Sequence, residues 1–348
     1  MTDAILAITV LWGFIFIYAV MATMDFGAGF WSMLYLNNNK TNATNIANRY
    51  LSPTWEVTNV FIVAVVVAIY SFFPGAAYSL GTVLLLPGSI ILLLLTFRSA
   101  FLVFSHIAEE YKRPLTIVSG VTGFLIPAFL ILVLPVTHGG FVENRDGVDF
   151  LMLGKLLTSP HALSFILFAI SSTLFLSSLL LADFSKVAGD RSAYELYRRD
   201  ALIVGPISLV GAFLIMITMR TESTWLYENM LEYLPWLVAS AVMFIVTGLA
   251  LVIPDKKKGY TGLPRLGVVS AFIQYALASY AYGRAHLPYI IYPNVTIQNS
   301  FTDPTSFRAV FISYIVGFVI LFPGFIYFWS LFMRDKRYIR NEKISQEE

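Results

Sequence analysis

The stretch YAVMATMDFGAGFWSML, residues 18–34, places one carboxylate, Asp25, inside an apolar run that starts at Ala4 and ends near Leu36. This run exceeds the roughly 20 residues that a helix needs to cross a bilayer. A charge in such a segment is costly in lipid, so it is expected at an interface, in a pair, or in a functional role. The run therefore predicts a membrane-spanning first helix in which Asp25 requires an explanation.

The composition of the whole chain predicts a helical membrane protein with several spans. Hydrophobic residues make up 57% of the chain and charged residues 13%, and the mean hydropathy is +0.73. The chain has no cysteine, which excludes disulfides, thiolate-ligated metals, iron–sulfur clusters and c-type haem attachment. The net charge of +2 gives no indication of nucleic acid, because the basic residues are scattered over short loops.

The apolar runs predict nine spans in a single membrane domain, residues 1–348. The first run lacks a basic segment before it and is long enough to span, so it is interpreted as helix one rather than a signal peptide. Pro87, Pro127 and Pro323 fall inside spans, where neighbouring helices can satisfy the freed carbonyls. The spans lie at about 4–24 (with a helix that can continue to 36), 55–73, 79–105, 115–136, 161–183, 203–219, 235–253, 263–283 and 309–333.

The distribution of lysine and arginine predicts that the N-terminus lies outside and the C-terminus lies in the cytoplasm. With that orientation, 17 of the 23 basic residues lie in the inner loops and the C-terminal tail. The asymmetry agrees with an odd number of spans. The outer side carries five, which are Arg145, Lys155, Arg220, Arg284 and Arg308, and Arg98 lies within a span.

Three ionisable residues fall in the inner third of the first three helices. Asp25 lies near the inner end of helix one, Glu56 opens helix two in SPTWEVTNVF, and Arg98 lies about two turns from the inner end of helix three. A buried arginine is expected to pair with a carboxylate, and Asp25 and Glu56 are the nearest candidates. One interpretation is a hydrated polar cluster that admits protons from the cytoplasm. The alternative is that both acids are interfacial and that Arg98 extends to the inner surface.

The positions of the four histidines along the sequence do not predict a haem site. His106 lies near the inner end of helix three, whereas His138, His161 and His286 lie at or beyond the outer ends of their helices. A haem between two helices needs axial ligands at matched depth, and no such pair is expected at mid-membrane. Each histidine is therefore interpreted as an interfacial side chain, and the chain alone is predicted to bind no haem.

Five segments of the chain carry a resemblance to a known protein family. They are MDFGAGF, SPTWEVTNVF, FRSAF, SPHALSF and HLPYIIYPNVTIQNSFTDPTSFRAVF. Over its full length the chain resembles subunit II of the cytochrome bd-type quinol oxidases. The resemblance implies two four-helix bundles plus one additional helix, in the bacterial plasma membrane. It also implies a haem-bearing partner, subunit I, with haem b and haem d, in a complex that oxidises quinol and reduces O₂ to water and generates a proton motive force.

The resemblance also implies roles for particular residues. The family carboxylate that follows a tryptophan at the start of helix two belongs to a proposed cytoplasmic proton path, which maps onto Glu56 with Trp55 beside it. The helix-one acid maps onto Asp25 and the helix-three arginine onto Arg98. The hypothesis is that Glu56 is the proton inlet, and that Asp25 holds Arg98 or forms a second branch.

The predicted path departs from the family pattern beyond Glu56. Many members have an asparagine where Thr58 stands, a histidine or glutamine at the position of Asn59, and a tryptophan where Phe61 is. Asn59 is kept in the predicted path, but the side chains that continue it are less well defined than the inlet.

Two other functions are alternatives to the oxidase subunit. A secondary transporter predicts a midplane site with broken helices in both halves, which the inner clustering of the charges disfavours. A structural membrane scaffold needs no intramembrane carboxylate. For the oxidase subunit, the expected partners are subunit I and membrane lipid, with no nucleic acid; the sequence leaves a small accessory subunit open.

Overall fold

The computed structural model describes residues 3–38, 40–105, 111–145, 148–255 and 260–334, and these are mostly helical. His106 and most of the predicted cytoplasmic tail lie outside the described residues. The helices are α1 Asp3–Leu34, α2 Ala43–Phe72, α3 Pro74–Val83, α4 Leu85–Ser105, α5 Lys112–Leu130, α6 Val133–Thr137, α7 Leu153–Thr158, α8 Pro160–Ala188, α9 Arg191–Glu222, α10 Thr224–Glu232, α11 Leu234–Val252, α12 Pro264–His286, α13 Ile297–Ser300 and α14 Pro304–Arg334.

Three antiparallel hairpins lie in the loops between helices. They pair β1 Val142–Arg145 with β2 Val148–Leu151, β3 Pro254–Asp255 with β4 Tyr260–Thr261, and β5 Tyr289–Ile291 with β6 Val295–Thr296. The prediction of an all-helical protein did not include them. In a sequence this hydrophobic, two or three alternating residues beside a turn are too few to distinguish a strand from a loop.

Eight helical segments among the described residues are long and apolar enough to cross a membrane. They are Asp3–Leu34, Thr54–Phe72, Leu85–Phe104, Arg113–Thr137, Pro160–Ala188, Arg191–Glu222, Leu234–Val252 and Pro304–Tyr327. The remaining predicted span, 263–283, corresponds to α12. This helix has 23 residues, enough length to cross, but Ser270, Gln274 and Ser279 lower its apolar content.

Two predicted spans are interrupted helices. The span predicted at 79–105 is divided between α3 and α4, with Leu84 between them. Pro87 lies in the first turn of α4, where a residue without a backbone N–H suits a helix start better than a helix interior. Within the span predicted at 115–136, the regular helix likewise ends at Leu130, one turn after Pro127. Pro323, by contrast, lies inside the continuous helix α14.

The helices pack into two groups of four. In the first group α1 packs against α2 and α5, and α4 packs against α5. In the second group α8 packs against α9 and α12, and α11 packs against α12. The two groups meet where α8 contacts α1 and α5. Helix α14 stands beside the first group, in contact with α1 and α2.

The contact between the two groups depends on a glycine. A side chain at Gly27 of α1 would overlap the Ser177 side chain of α8, and its Cβ would lie 2.8 Å from the carbonyl oxygen of Thr173. Small residues at such a crossing let two helices approach closely in a membrane, where packing replaces the hydrophobic effect as the driving force. Gly27 therefore permits the close approach of α1 and α8.

Candidate functional site

Asp25 lies in the C-terminal third of α1 and its carboxylate is buried, with the residue 2% exposed. Oδ1 accepts a hydrogen bond from the hydroxyl of Thr54, and Oδ2 accepts one from the hydroxyl of Thr58. The two threonines are one turn apart on α2, so they lie on the same face of that helix. The carboxylate therefore fastens α1 to α2, and Thr54 is a site residue that the sequence analysis missed.

Arg98 of α4 is also buried, with 3% of its surface exposed, so it does not extend to the membrane surface. Its Nη2 donates to the main-chain carbonyl of Asp25 at 2.7 Å, and its Nη1 donates to the carbonyl and hydroxyl of Ser119 at 2.6 and 3.2 Å. Its Cζ atom lies 5.2 Å from the centre of the Phe26 ring. Arg98 therefore joins α4 to α1 and α5.

The predicted contact between Asp25 and Arg98 is found, but its chemistry differs from the prediction. The hydrogen bond of the guanidinium goes to the carbonyl of Asp25, while the carboxylate is hydrogen-bonded to Thr54 and Thr58. The reason is geometric, because the carboxylate faces α2 and the main-chain carbonyl faces α4. The two groups still interact electrostatically, and each also has uncharged hydrogen-bond partners.

Two glycines make room for the guanidinium. A Cβ at Gly29 of α1 would lie 2.9 Å from Arg98 Nη1 and 2.9 Å from the Ser119 hydroxyl. A Cβ at Gly123 of α5 would lie 3.1 Å from the same Nη1. Gly29 therefore leaves space for side chains, those of Arg98 and Ser119, and not for a neighbouring backbone.

Glu56 is not part of this buried cluster. It is exposed on α2, and Trp55 and Asn59 beside it are half-buried. Thr54 and Thr58, two positions before and after Glu56, face Asp25, and a residue two positions along a helix points to the far side. The single cluster predicted from depth is therefore wrong. The structure separates a buried Asp25–Arg98 pair from a Glu56 that faces outward.

An exposed apolar stripe extends from Glu56 along α2. Val60, Val63, Val67 and Tyr70 are 60%, 60%, 46% and 59% exposed, and their spacing places them on the helix face that begins at Glu56. Within this chain nothing covers that face among the described residues. The carboxylate is therefore presented at the end of a membrane-facing surface.

Three histidines that are far apart in the sequence meet at the opposite end of the helices. His138 Nδ1 lies 2.9 Å from His161 Nε2, and the rings of His138 and His286 are centred 5.7 Å apart. Both ring nitrogens of His138 and of His161 are in hydrogen bonds. These rings therefore do not fit as axial ligands of a haem. Among the described residues no group of three or more side chains is arranged to hold a metal ion.

Comparison with known proteins gives one consistent result. The model of the family described as cytochrome bd terminal oxidase subunit II matches residues 4–332. The chain is 64% identical, over 343 residues, to a putative cytochrome bd menaquinol oxidase subunit II of Bacillus subtilis (strain 168), covering 98% of this chain and 99% of the relative. It is similar to a chain in the structure of bd oxidase from Geobacillus thermodenitrificans, with 36% identity, a TM-score of 0.81, and coverage of 97% and 100%.

Replacing Gly29 with alanine is expected to destabilise the first group of helices. The added methyl group meets Arg98 and Ser119, and neither can move without losing a buried hydrogen bond, so the cost is about 1–3 kcal/mol. Gly13→Ala on the same helix is the matched control, because nothing lies within 4 Å of its Cβ position. The midpoint of thermal unfolding measures both variants. Equal midpoints for the two would contradict the packing described for Arg98.

Proposed function

Because the chain belongs to the cytochrome bd terminal oxidase subunit II family, we propose that it is the haem-free subunit of a complex that oxidises quinol and reduces O₂ to water. The chain is a multi-pass protein of the bacterial plasma membrane. The haems, haem b and haem d, belong to its partner, subunit I. The name of the Bacillus subtilis relative supports menaquinol as the electron donor.

The observation that carries this proposal is the position of Glu56 on an exposed membrane-facing surface. A carboxylate facing lipid is costly, so a second protein is expected to cover the stripe from Glu56 to Tyr70. A shallow groove of about 530 Å³ on α4, which includes Thr96, Ser99 and Ala100, adds small residues that permit close helix contact. We assign these faces of α2 and α4 to subunit I, which they would stabilise in the complex.

The same geometry supports Glu56 as a cytoplasmic proton inlet. The reduction of O₂ consumes protons, and an apolar helix bundle needs titratable or hydrogen-bonding side chains to conduct them. Since Glu56 points away from Asp25, the path continues into the partner subunit at the interface, flanked by Trp55 and Asn59 of this chain. Asp25 and Arg98 then hold α1, α2, α4 and α5 in place and so fix the orientation of the helix that carries Glu56.

The topology that fits this function has nine spans, with the N-terminus outside and the C-terminus in the cytoplasm, in one domain of residues 1–348. Helix α12 would be the ninth span, because it packs along α11 and α8 inside the second group of helices. Polar groups of α12 are covered by those neighbours in part: Ser270 is 0% exposed, and the main-chain carbonyl of Gln274 accepts from the Ser240 hydroxyl of α11 at 2.9 Å. A polar helix that is covered by other helices can cross a bilayer.

Two single cysteines test the topology, in a chain that has no cysteine of its own. Ser192 lies in the first turn of α9, before the proposed spans of α9, α11 and α12, and Asn294 follows those spans. An impermeant maleimide is expected to label Asn294→Cys in intact spheroplasts and Ser192→Cys in inverted vesicles. Labelling of both from the same side would show that α12 does not cross, and the reverse pattern would show that the orientation is inverted.

Purification of the tagged chain tests the complex. A haem-containing membrane protein is expected to co-purify with it. The absorbance of haem is expected to follow the partner after the two are separated, because both ring nitrogens of His138 and of His161 are already in hydrogen bonds. A chain that is stable and monodisperse alone and shows a haem spectrum would rule out the subunit II assignment.

Glu56→Gln tests the proton inlet. Glutamine keeps the size and the hydrogen-bonding capacity of the side chain but cannot titrate, so quinol-driven oxygen consumption is expected to fall about tenfold or more, with haem content unchanged. Oxygen consumption and proton uptake by the purified complex are the measurements.

Glu195→Gln is the matched control for Glu56→Gln. Glu195 lies on α9, where it forms an exposed ion pair with Arg191 at 2.9 Å, and such pairs contribute little. Its replacement is expected to leave turnover unchanged. Turnover of an assembled Glu56→Gln complex at the wild-type rate would show that this carboxylate only favours the helix structure.

A further inference from the structure

We propose that the two groups of four helices are repeats of one structural unit, and that subunit I binds only one of the two equivalent faces that the repeat creates. One face is formed by α2 and α4, and the other is formed by α9 and α11. The α2/α4 face contacts subunit I, whereas the α9/α11 face contacts lipid. This inference rests on the proposed function, because it states which differences between the two faces determine where the partner binds.

The helices of the two groups follow one another in the same order and with similar lengths. Helices α1 to α5 have 32, 30, 10, 21 and 19 residues, and α8 to α12 have 29, 32, 9, 19 and 23. The packing also repeats, because α1 packs against α2 and α5 as α8 packs against α9 and α12. The pair of α4 and α5 corresponds to the pair of α11 and α12. The two groups therefore share one topology.

The backbone also breaks at equivalent places in the two groups. Phe73 separates α2 from α3 with φ −135° and ψ 64°, and Ser223 separates α9 from α10 with φ −144° and ψ 57°. Leu84 follows α3 with φ −92° and ψ 14°, and Tyr233 follows α10 with φ −100° and ψ 15°. Different side chains adopt nearly the same conformation at both joints. The correspondence is therefore a property of the repeated unit and not of one local sequence.

The exposed side chains of the two groups recur with the same spacing. On α2 they are Val60, Val63, Val67 and Tyr70, and on α9 they are Ile207, Val210, Leu214 and Ile217. On α4 they include Thr96, Ala100 and Val103, and on α11 they include Ile245, Leu249 and Val252. Each exposed residue of one face thus has an identifiable counterpart on the other.

The two faces differ in chemistry at particular counterparts. Three substitutions remove a charge or a small side chain from the α9/α11 face: Ile203 for Glu56, Ile245 for Thr96, and Leu249 for Ala100. Ile203, Ile245 and Leu249 are 56%, 59% and 55% exposed. The α2/α4 face instead has an exposed carboxylate and the groove of about 530 Å³ that Thr96 and Ala100 line.

These differences favour protein on one face and lipid on the other. Lipid chains solvate apolar side chains as well as another helix does, so association of helices needs close packing or polar contacts. Thr96 and Ala100 allow a helix of subunit I to approach α4, and the carboxylate of Glu56 needs a cover that lipid does not provide. The large side chains of Ile245 and Leu249 hold a helix away from α11 and are themselves covered by lipid.

An aromatic pair supports contact of the α9/α11 face with lipid. Trp236 in the first turn of α11 and Tyr280 of α12 are 44% and 46% exposed, and their ring centres lie 4.8 Å apart. Exposed tryptophan and tyrosine near the ends of membrane helices are typical of surfaces that meet the lipid headgroups.

The double variant Thr96→Ile, Ala100→Leu gives the α2/α4 face the side chains of its counterpart. Haem that co-purifies with the tagged chain is expected to fall about tenfold or more, because the larger side chains overpack the contact with subunit I. The amount of the chain in the membrane is expected to stay at the wild-type level. Both positions are exposed, and the Thr96 hydroxyl donates to the Leu92 carbonyl of its own helix at 2.8 Å.

The reciprocal double variant Ile245→Thr, Leu249→Ala is the matched control, and it is expected to retain haem at the wild-type level. Haem retained by Thr96→Ile, Ala100→Leu, or lost from the reciprocal variant, would overturn this inference and leave the proposed function intact. A wild-type chain that co-purifies with no haem protein would contradict the proposed function and this inference with it.

Photochemical cross-linking of the assembled complex decides the matter if the first double variant does not accumulate in the membrane. A benzophenone side chain is placed at Val63 of α2 or at its counterpart, Val210 of α9. On illumination, the chain labelled at Val63 is expected to form a covalent product with the haem-bearing subunit, and the chain labelled at Val210 is expected to form products with lipid alone. A product of the Val210 position with the haem-bearing subunit, or none from Val63, would overturn the inference.

Discussion

A guanidinium group buried among membrane helices has to obtain its hydrogen-bond acceptors from the protein, since the surrounding lipid offers none. Arg98 meets this requirement with the carbonyls of Asp25 and Ser119, from two different helices. The glycines at 29 and 123 are needed because they leave space for the group. The hydrogen bonds of Arg98 thus fix the positions of α1, α4 and α5 relative to one another. The Asp25 carboxylate determines which face of α2 packs against α1.

The apolar runs predict the approximate ends of the spans and so a common level along the first three spans for Asp25, Glu56 and Arg98, but not the direction in which each side chain points. The contacts of Asp25 with Arg98 and with Thr54 and Thr58, on either side of Glu56, agree with a common level. Direction depends on how a helix is rotated within its bundle, which a run of uniformly apolar residues does not encode. Glu56 was for that reason assigned to the same cluster as Asp25, and the role of Thr54 was not seen.

Long-range contacts set a second limit on prediction from sequence. His138, His161 and His286 come from three separate segments, and they meet because α6 and α12 both pack against α8. Each histidine taken alone is an unremarkable residue at a helix end, as the sequence analysis concluded. The breaks near Pro87 and Pro127 were signalled by the prolines, but their consequence for helix continuity was not. The sequence shows that α12 contains polar residues, but it does not show that α12 packs against α8 and α11.

The position of α14 has a consequence for how the protein is made. This helix is synthesised after the other membrane helices, yet it contacts α1 and α2, which are synthesised first, and Arg308 at its start pairs with Asp3 at 2.9 Å. The surface of α1 and α2 that receives α14 therefore remains open throughout translation. During that interval the first two helices are held by their contacts with α5 and α8, and the ribosome has to complete nearly the whole chain before the ion pair between its ends can form.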